Sequence, residues 1–459
     1  MASGVSAYSY AASVTWTCSP ITLASWRGIR NYQQQDVRHC QSRWCHRPTT
    51  IRRLRCTERK AGQDGARAGE KASAFFDGWF LRVTDHAAGV SLAVVLGLFW
   101  HRGARGQRGQ GLDPSGGRDE EHYLCISVGS AGGDGALASA HLFPTPAACG
   151  LSVTSPSSSP AAHHGLHLPR RQAAAWAMPA SGLAELHYES RDHGSIDVGP
   201  AGVHCMLRGR SADGAPWDLE VHIEGALRPW LPEGWLGRLW RTGLLPCRYL
   251  VHTLCTPARY ALSAPGGLGE RGSPLSLAGD GTAHVETNFG ESFPDGWIYA
   301  QGHASASDGE GPVFVLTGGR FRIGPVAPLT WLLCLRLPGL PPLDFRTTDL
   351  DVVQVRRLSF AEKEVALEAR RPLWRGGPRV SLRLRAPAGS FGREGLYVPT
   401  PGGFARTPGA AESFSAVADL RVSGVNGGAG SCFSLQGCVL EFGGAFQDQR
   451  ELTALESRD

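Results

Sequence analysis

Several features that would indicate common enzyme classes are missing from this chain of 459 residues. It contains no P-loop, no G-x-S-x-G and no H-E-x-x-H, so P-loop nucleotide chemistry and zinc-protease chemistry are not indicated. Its 12 cysteines include no C-x-x-C pair, which favours reduced, partly buried thiols. Neither apolar run, 89–100 or 328–343, supplies the roughly 20 uninterrupted apolar residues of a membrane-spanning helix. No transmembrane helix is therefore predicted.

Charge is low overall and unevenly placed. The formal net charge is +5, and residues 1–60 hold ten basic side chains against two acidic ones. The remaining chain has 36 basic and 39 acidic residues without a basic cluster, so a nucleic-acid partner is not expected. Hydroxyl and arginine side chains with almost no acids are typical of an organelle transit peptide. We predict a disordered leader over 1–70 that addresses the chloroplast, the alternatives being an ordinary disordered tail or a mispredicted first exon.

Helix breakers are abundant, since the chain contains 60 glycines and 30 prolines. This composition argues against a helical bundle. From residue 74 onward, short runs rich in valine, leucine, phenylalanine and tryptophan are bounded by glycine, proline or aspartate, which is typical of strands. The sequence therefore predicts an all-β protein. Residues 101–180 differ, because they are rich in Gly, Arg, Ser and Pro and have few strand patterns; we interpret them as a low-complexity insertion, either a disordered loop or a gene-model artefact.

A carboxylate stands inside the first strand pattern, 75–83. With a side-chain period of two, Asp77 shares a face with Trp79, Leu81 and Val83. Burial among apolar groups raises the pKa of a carboxyl group, because desolvation disfavours the charged form, and this suits a general acid. The alternatives are a salt bridge to an arginine and a strand-end cap.

A second segment, 284–297, brings an acid, an amide and aromatic residues to the junction of a strand and a loop. Its candidate residues are Glu286, Asn288, Phe289 and Trp297. Loops on a β scaffold often carry function. The alternative is a hairpin turn whose aromatic side chains belong to the core.

These two segments resemble the tocopherol cyclase family. The family strand F-F-E-G-W-Y-F-R-V is matched by 75–83, with Asp77 in place of glutamate. Its S-E-K-N-W-G block and the following F-P-x-x-W are matched by 285–290 and 293–297, where Thr287 replaces lysine and Phe289 replaces tryptophan. Weaker matches keep the family order along the chain, at 313–319, 365–370, 384–387 and 439–444.

The resemblance implies a pair of lipocalin-like antiparallel β-barrel halves, which we place at 71–296 and 297–459. It implies an isomerase that closes the chromanol ring of vitamin E on a prenylated benzoquinol, such as methyl-phytyl-benzoquinol, without a cofactor or metal. It further implies a chloroplast enzyme at the periphery of plastid lipid bodies (plastoglobules) or of the inner-envelope or thylakoid membrane.

Ring closure needs an acid that protonates the alkene of the prenyl tail and π faces that stabilise the resulting cation. We assign the acid to Asp77 or Glu286 and the orientation of the quinol hydroxyl to Asn288. The π faces are assigned to Trp79, Phe289 and Trp297. Because three motif positions are substituted, two alternatives stay open: a non-catalytic lipocalin-like binder of prenyl lipids, and a prenyl-chain hydratase on the same scaffold.

Overall fold

The computed structural model describes residues 75–100, 120–154, 185–304 and 311–448, with short gaps inside these ranges. The predicted leader, 1–70, lies outside the described residues. Among the described residues, no helix has the length and apolar character that crossing a membrane requires.

Eleven strands form one antiparallel sheet in the order β4-β3-β2-β1-β11-β10-β9-β8-β7-β6-β5. They are β1 (Phe75–Asp85), β2 (Val90–Trp100), β3 (Glu120–Ser130), β4 (Ala138–Leu142), β5 (Cys149–Thr154), β6 (Glu185–Ser190), β7 (Gly194–Gly199), β8 (Gly202–Arg210), β9 (Pro216–Glu224), β10 (Cys247–Ala264) and β11 (Leu275–Gly290). The first strand pairs with the last. The two edge strands, β4 and β5, are consecutive in the chain and are joined through a single 3-10 turn, Pro146–Ala148, so the sheet is barrel-like.

A second antiparallel sheet repeats this plan in the order β15-β14-β13-β12-β22-β21-β18-β17-β16. Its strands are β12 (Gly296–His303), β13 (Val313–Arg320), β14 (Leu329–Arg336), β15 (Leu343–Arg346), β16 (Val352–Ser359), β17 (Glu364–Arg370), β18 (Arg379–Arg385), β21 (Ala410–Ser423) and β22 (Ser431–Gly444). A short separate hairpin joins β19 (Pro399–Thr400) to β20 (Gly403–Phe404). Again the first strand pairs with the last, and a 3-10 turn, Thr347–Asp349, connects the two edges. The all-β class with two barrel-like sheets is confirmed.

The range 101–180 contributes more structure than its composition predicts. It contains β3, β4 and β5, and β3 is an interior strand of the first sheet, paired with β2 on one side and β4 on the other. Leu124 and Ile126 face the core of that sheet, and the intervening Cys125 is also fully buried. A strand buried on both faces shows no polar alternation, which is why it is overlooked beside low-complexity sequence. The expectation of few strands is corrected for these three segments, and 101–119 and 155–184 lie outside the described residues.

Strand alternation builds three apolar clusters. One face of β1, with Trp79, Leu81 and Val83, belongs to the core of the first sheet. The other face, with Phe76 and Phe80, packs in a separate cluster that also contains residues of the second sheet. The second sheet has a core of its own. Since burying a large apolar side chain stabilises a fold by about 1.5–3 kcal/mol, the cluster shared by both sheets holds them together strongly.

Candidate functional site

A cavity lies where β1, β2 and β11 of the first sheet meet β12 and β22 of the second. Its lining is mostly apolar and aromatic, with a few polar side chains. The lining residues are Phe76, Asp77, Gly78, Trp79, Phe80, Val95, Gly97, Leu98, Tyr123, Cys247, Tyr249, Glu286, Asn288, Phe293, Pro294, Trp297, Tyr299, Thr317, Gly318, Leu396, Tyr397, Val398, Pro399, Phe404 and Glu441. An apolar cleft with few convergent polar groups is the usual form of a small-molecule site.

Two glycines make room at one wall of this cavity. Gly78 of β1 and Gly97 of β2 are directly opposite each other in the strand register. A Cβ atom on Gly97 would lie 2.6 Å from Cζ of Phe404, and one on Gly78 would lie 2.6 Å from Oδ1 of Asn288. Glycine at both positions therefore leaves room for the Asn288 side chain over β1 and for the Phe404 ring over β2.

The segment 396–404 of the second half covers part of the first sheet beside the cavity. The Phe404 N–H donates to Oε2 of Glu121 over 2.9 Å, and the Tyr397 N–H donates to the Tyr123 hydroxyl over 3.3 Å. The Tyr123 and Phe404 rings lie 5.4 Å apart. These contacts tie residues distant in sequence into one aromatic wall.

Glu286 is held by two neighbours on the cavity side of the sheet, and a third side chain contacts one of them. Its Oε2 accepts hydrogen bonds from the Tyr249 hydroxyl and from Nε2 of His284, the latter over 2.6 Å. The Tyr299 hydroxyl lies 3.3 Å from the same His284 nitrogen. Glu286 and His284 are both buried. These hydrogen bonds to one oxygen hold the carboxyl group in a fixed orientation at the cavity wall.

Glu441 faces this group from the second sheet. Strand register places it directly opposite Tyr299 of β12. The indole Nε1 of Trp297 donates a hydrogen bond to Glu441 Oε1. Burial raises the pKa of the Glu441 carboxyl to about 7, against the opposing effect of the Trp297 N–H, and the charge of Glu286 raises it further. Glu441 is therefore a carboxylic acid that retains a proton near neutral pH.

A third carboxyl group and a buried guanidinium complete the electrostatics. Glu412 is opposite Glu441 in the register of β21 and β22, and both of its carboxyl oxygens lack a hydrogen-bond partner among the described residues. Burial raises the pKa of Glu412 well above its usual value; Glu441 raises it further, and Arg82 opposes the shift. Arg82 donates from Nε to Ser91 Oγ over 2.7 Å and from Nη2 to the Gly437 carbonyl over 2.5 Å. Three carboxyl groups near one cation favour a proton shared within the cluster.

Asp77 lies on the other face of β1, with Trp79. Its Oδ1 accepts a 3.1 Å hydrogen bond from the Thr287 hydroxyl, and its Oδ2 has no hydrogen-bond partner among the described residues. Burial raises the pKa of Asp77 to about 7, against the lowering effect of the Thr287 hydroxyl. The Trp79 indole stacks on His252 at 5.1 Å. Glu286 is directly opposite Phe80, whose side chain points to the face of β1 that Asp77 does not share. Asp77 and Glu286 therefore occupy different environments.

Five of the six predicted site residues line the same cavity: Asp77, Trp79, Glu286, Asn288 and Trp297. Phe289 does not line it. It is buried in the cluster between the sheets, and the Arg248 guanidinium lies 5.9 Å from its ring centroid. In the pairing of β1 with β11, Phe289 is directly opposite Asp77, and Asn288 is directly opposite Gly78.

Sequence reasoning missed five polar residues of the site. They are Arg82, Tyr249, His284, Glu412 and Glu441. A local signal existed for Glu441, because it is the one charged residue within the apolar segment 439–442. Tyr249 and Glu412 carry no such signal, since strand pairing over long sequence separations brings them to the site.

Gly443→Ala tests whether Trp297 must lie flat on the sheet. The indole packs directly on Gly443, so a methyl group there overlaps it and must displace it from Glu441. We expect a loss of about 1–3 kcal/mol in the free energy of unfolding, measured by urea denaturation, together with a change in tryptophan fluorescence.

Gly150→Ala is the matched control, because a Cβ atom at that position meets no neighbour. Equal effects of the two substitutions would contradict the packing argument, since both replace a strand glycine by the same residue.

No family model matches the chain, and no curated protein matches it. It is similar to solved structures of low sequence identity. A protein assigned as AttH from Nitrosomonas europaea is 10% identical with a TM-score of 0.39, over 82% of this chain and 94% of that chain. CghA in complex with Sch210972 is 13% identical with a TM-score of 0.44, over 81% and 88% of the two chains. Kievitone hydratase from Nectria haematococca is 10% identical with a TM-score of 0.35, over 82% and 90%.

Proposed function

We propose that this protein is a tocopherol cyclase-like enzyme that closes the chromanol ring of a prenylated benzoquinol in vitamin E biosynthesis. The observation that carries the proposal is a buried carboxylic acid with a pKa of about 7, Glu441, hydrogen-bonded to an indole in an aromatic cavity. The motif resemblance to tocopherol cyclases supports the substrate class, a prenylated benzoquinol of the methyl-phytyl-benzoquinol type.

The first step is protonation of the trisubstituted alkene nearest the ring. The Glu441 O–H bond breaks, a C–H bond forms at the less substituted alkene carbon, and a tertiary cation remains at the other carbon. Burial among apolar groups disfavours the charged carboxylate, so the acid still carries a proton to donate near neutral pH. The Trp297 indole donates its N–H to this acid and lines the cavity, and we assign its π face to stabilise the cation by about 0.5–2 kcal/mol.

The second step is capture of the cation by the phenol oxygen. A C–O bond forms, and the phenol O–H proton passes to a carboxylate. Glu286 suits this role because it lines the cavity and Tyr249 and His284 hold one of its oxygens in place. Asn288 lines the same cavity and is assigned to orient the phenol. Transfer of this proton from Glu286 to Glu441 restores the enzyme. The substrate gains one proton and loses one, so the reaction is an isomerisation.

Asp77 remains a second candidate donor, with Trp79 as its aromatic neighbour. Its pKa of about 7 matches that of Glu441, and it also borders the cavity. Asp77 lies in β1 of the first sheet and Glu441 in β22 of the second, and their hydrogen-bond partners differ. Separate substitution of each therefore identifies the donor.

The direct test incubates the full chain with methyl-phytyl-benzoquinol under reducing conditions and separates the products by chromatography. Formation of the chromanol supports the proposal. Retention of the unchanged lipid makes the protein a non-catalytic lipocalin-like binder, and an open-chain alcohol makes it a hydratase in which water captures the cation. Either of these two outcomes overturns the proposed reaction.

We also propose that the protein acts in the chloroplast, at the periphery of plastoglobules or of the inner-envelope or thylakoid membrane. The support is the composition of residues 1–70, rich in hydroxyls and arginine and poor in acids, together with a lipid substrate. A fluorescent reporter fused to residues 1–70 is expected to enter plastids when expressed in plant cells. A cytosolic signal would remove this part of the proposal.

A further inference from the structure

Two histidines and a glutamate meet on the outer face of strands β8 and β9, outside the cavity. His204 and His222 are directly opposite each other in the strand register. Glu220 precedes His222 by two residues and therefore projects from the same face of β9. The adjacent residues of the two strands point the other way and belong to the core of the first sheet. They are Val203 and Cys205 beside His204, and Val221 between Glu220 and His222. The three polar side chains thus share one outward-facing surface.

Their ligand atoms are spaced as a metal site requires. Oε1 of Glu220 lies 3.7 Å from Nε2 of His204 and 3.6 Å from Nε2 of His222. All three ligand atoms lie within 4.8 Å of one another. Zinc bound at about 2.0–2.1 Å in a tetrahedron places neighbouring ligand atoms about 3.3–3.4 Å apart. Both nitrogen–oxygen distances therefore need a contraction of only a few tenths of an ångström, which exposed side chains accommodate.

The orientation of the rings gives a second, independent indication. The His204 and His222 rings are stacked with centroids 4.1 Å apart and an angle of 28° between their planes, so both present the same edge to Glu220. Nε2 of His204 is shielded from solvent and has no hydrogen-bond partner among the described residues. A ring nitrogen in that position lacks the water contact that an exposed histidine normally has. A bound cation would satisfy it.

The surroundings supply the outer contacts that histidine ligands use. Asp197 of β7 is directly opposite His204 on the side away from His222. Strands are spaced about 4.8 Å apart, which puts a carboxylate next to the ring of His204. Histidine ligands commonly donate their second N–H to a carboxylate or carbonyl, which fixes the ring and raises its basicity.

We propose that His204, His222 and Glu220 form a binding site for a divalent late transition metal ion, with zinc as the representative. Two imidazoles and one carboxylate suit zinc, copper and nickel rather than calcium or magnesium, which prefer oxygen ligands alone. With three protein ligands, a fourth position is left for water. The ion cross-links β8 to β9 on the outer surface of the first sheet and takes no part in the cavity chemistry, so this proposal stands independently of the proposed enzyme activity.

The test measures zinc bound by the full chain, after chelator treatment, by equilibrium dialysis and elemental analysis. At the same free zinc concentration, the wild type is expected to bind one zinc ion more than His204→Gln or His222→Gln. The zinc affinity of Glu220→Gln is expected to be lower than that of the wild type by at least about tenfold. His193→Gln is the matched control, because His193 is a partly exposed histidine whose Nδ1 lies 3.3 Å from the Arg208 carbonyl oxygen, and it is not among the three clustered ligands. Its zinc content is expected to equal that of the wild type.

Two further readouts separate this site from cysteine binding and from misfolding. The site has no sulfur ligand, so cobalt bound there in place of zinc is expected to give no thiolate-to-metal charge-transfer band. Any such band from cysteine-bound cobalt is expected to be the same in the wild type and in His204→Gln. The melting temperature of the wild type, but not of His222→Gln, is expected to rise with zinc concentration. The proposal is overturned if the wild type and both histidine variants bind equal amounts of zinc, or if a thiolate band seen in the wild type is absent from those variants.

Discussion

Glu441→Gln is expected to lower the rate of chromanol formation by about 10²- to 10⁴-fold, the usual contribution of general acid catalysis. An amide keeps the shape of the side chain and still accepts the Trp297 hydrogen bond, but it supplies no acidic proton. The fall is expected in kcat with little change in KM, since the substituted group acts on the transition state. Single-turnover chromatography of the product measures it.

The pH profile provides the complementary measurement. Because the pKa of Glu441 is about 7, the donor is protonated below that pH and ionised above it, so kcat should fall as the pH rises through about 7. Glu368→Gln, at an exposed ion pair with Arg356, is the matched control and should retain the wild-type profile. If Glu441→Gln turns over at the wild-type rate while Asp77→Asn or Glu286→Gln does not, the donor is one of the latter acids.

Asp77→Asn is expected to change how stability depends on pH. The pKa of Asp77 is about 7 in the folded protein, against an ordinary value of 3.8 for an aspartate, so the folded state binds the proton more tightly. This contribution favours the folded state fully below about pH 3.8 and is lost as the pH rises through about 7. At 1.36 kcal/mol per pKa unit, the loss is on the order of 4 kcal/mol. The asparagine variant has no such term.

The measurement is the free energy of unfolding in urea for both proteins at pH 5 and pH 9. The excess stability of the wild type over Asp77→Asn should be smaller at pH 9 than at pH 5 by a few kcal/mol. Subtracting the variant removes the parallel effects of Glu412 and Glu441, whose pKa values are also raised by burial. A constant difference between the two pH values would show that Asp77 is not desolvated.

The sequence predicts the architecture well because local alternation encodes strands directly. The period of two in 75–83 places Asp77 on the same face as Trp79, and the structure keeps that arrangement. The cluster around Glu286 is different in kind. Tyr249 reaches it through the pairing of β10 with β11, and Glu441 through the pairing of β12 with β22, which no local pattern specifies.

Phe289 illustrates the same limit in the other direction. It is adjacent to Asn288 in sequence and stands where the related motif has tryptophan, yet only Asn288 lines the cavity. Phe289 shares the register of Asp77, which does line the cavity, so neither motif membership nor strand face alone determines which side chain faces a ligand. The strands in 101–180 escape prediction because β3 is buried on both faces.

Each barrel-like sheet closes by pairing its first strand with its last, and Glu286 and Glu441 lie in those two last strands. During synthesis, Glu286 leaves the ribosome with the strand that completes the first sheet, and Glu441 with the strand that completes the second. Pairings over such long sequence separations form late and slowly. The acids therefore meet only when nearly the entire chain has been made, and a nascent or truncated chain that ends before β22 lacks Glu441, the proposed proton donor.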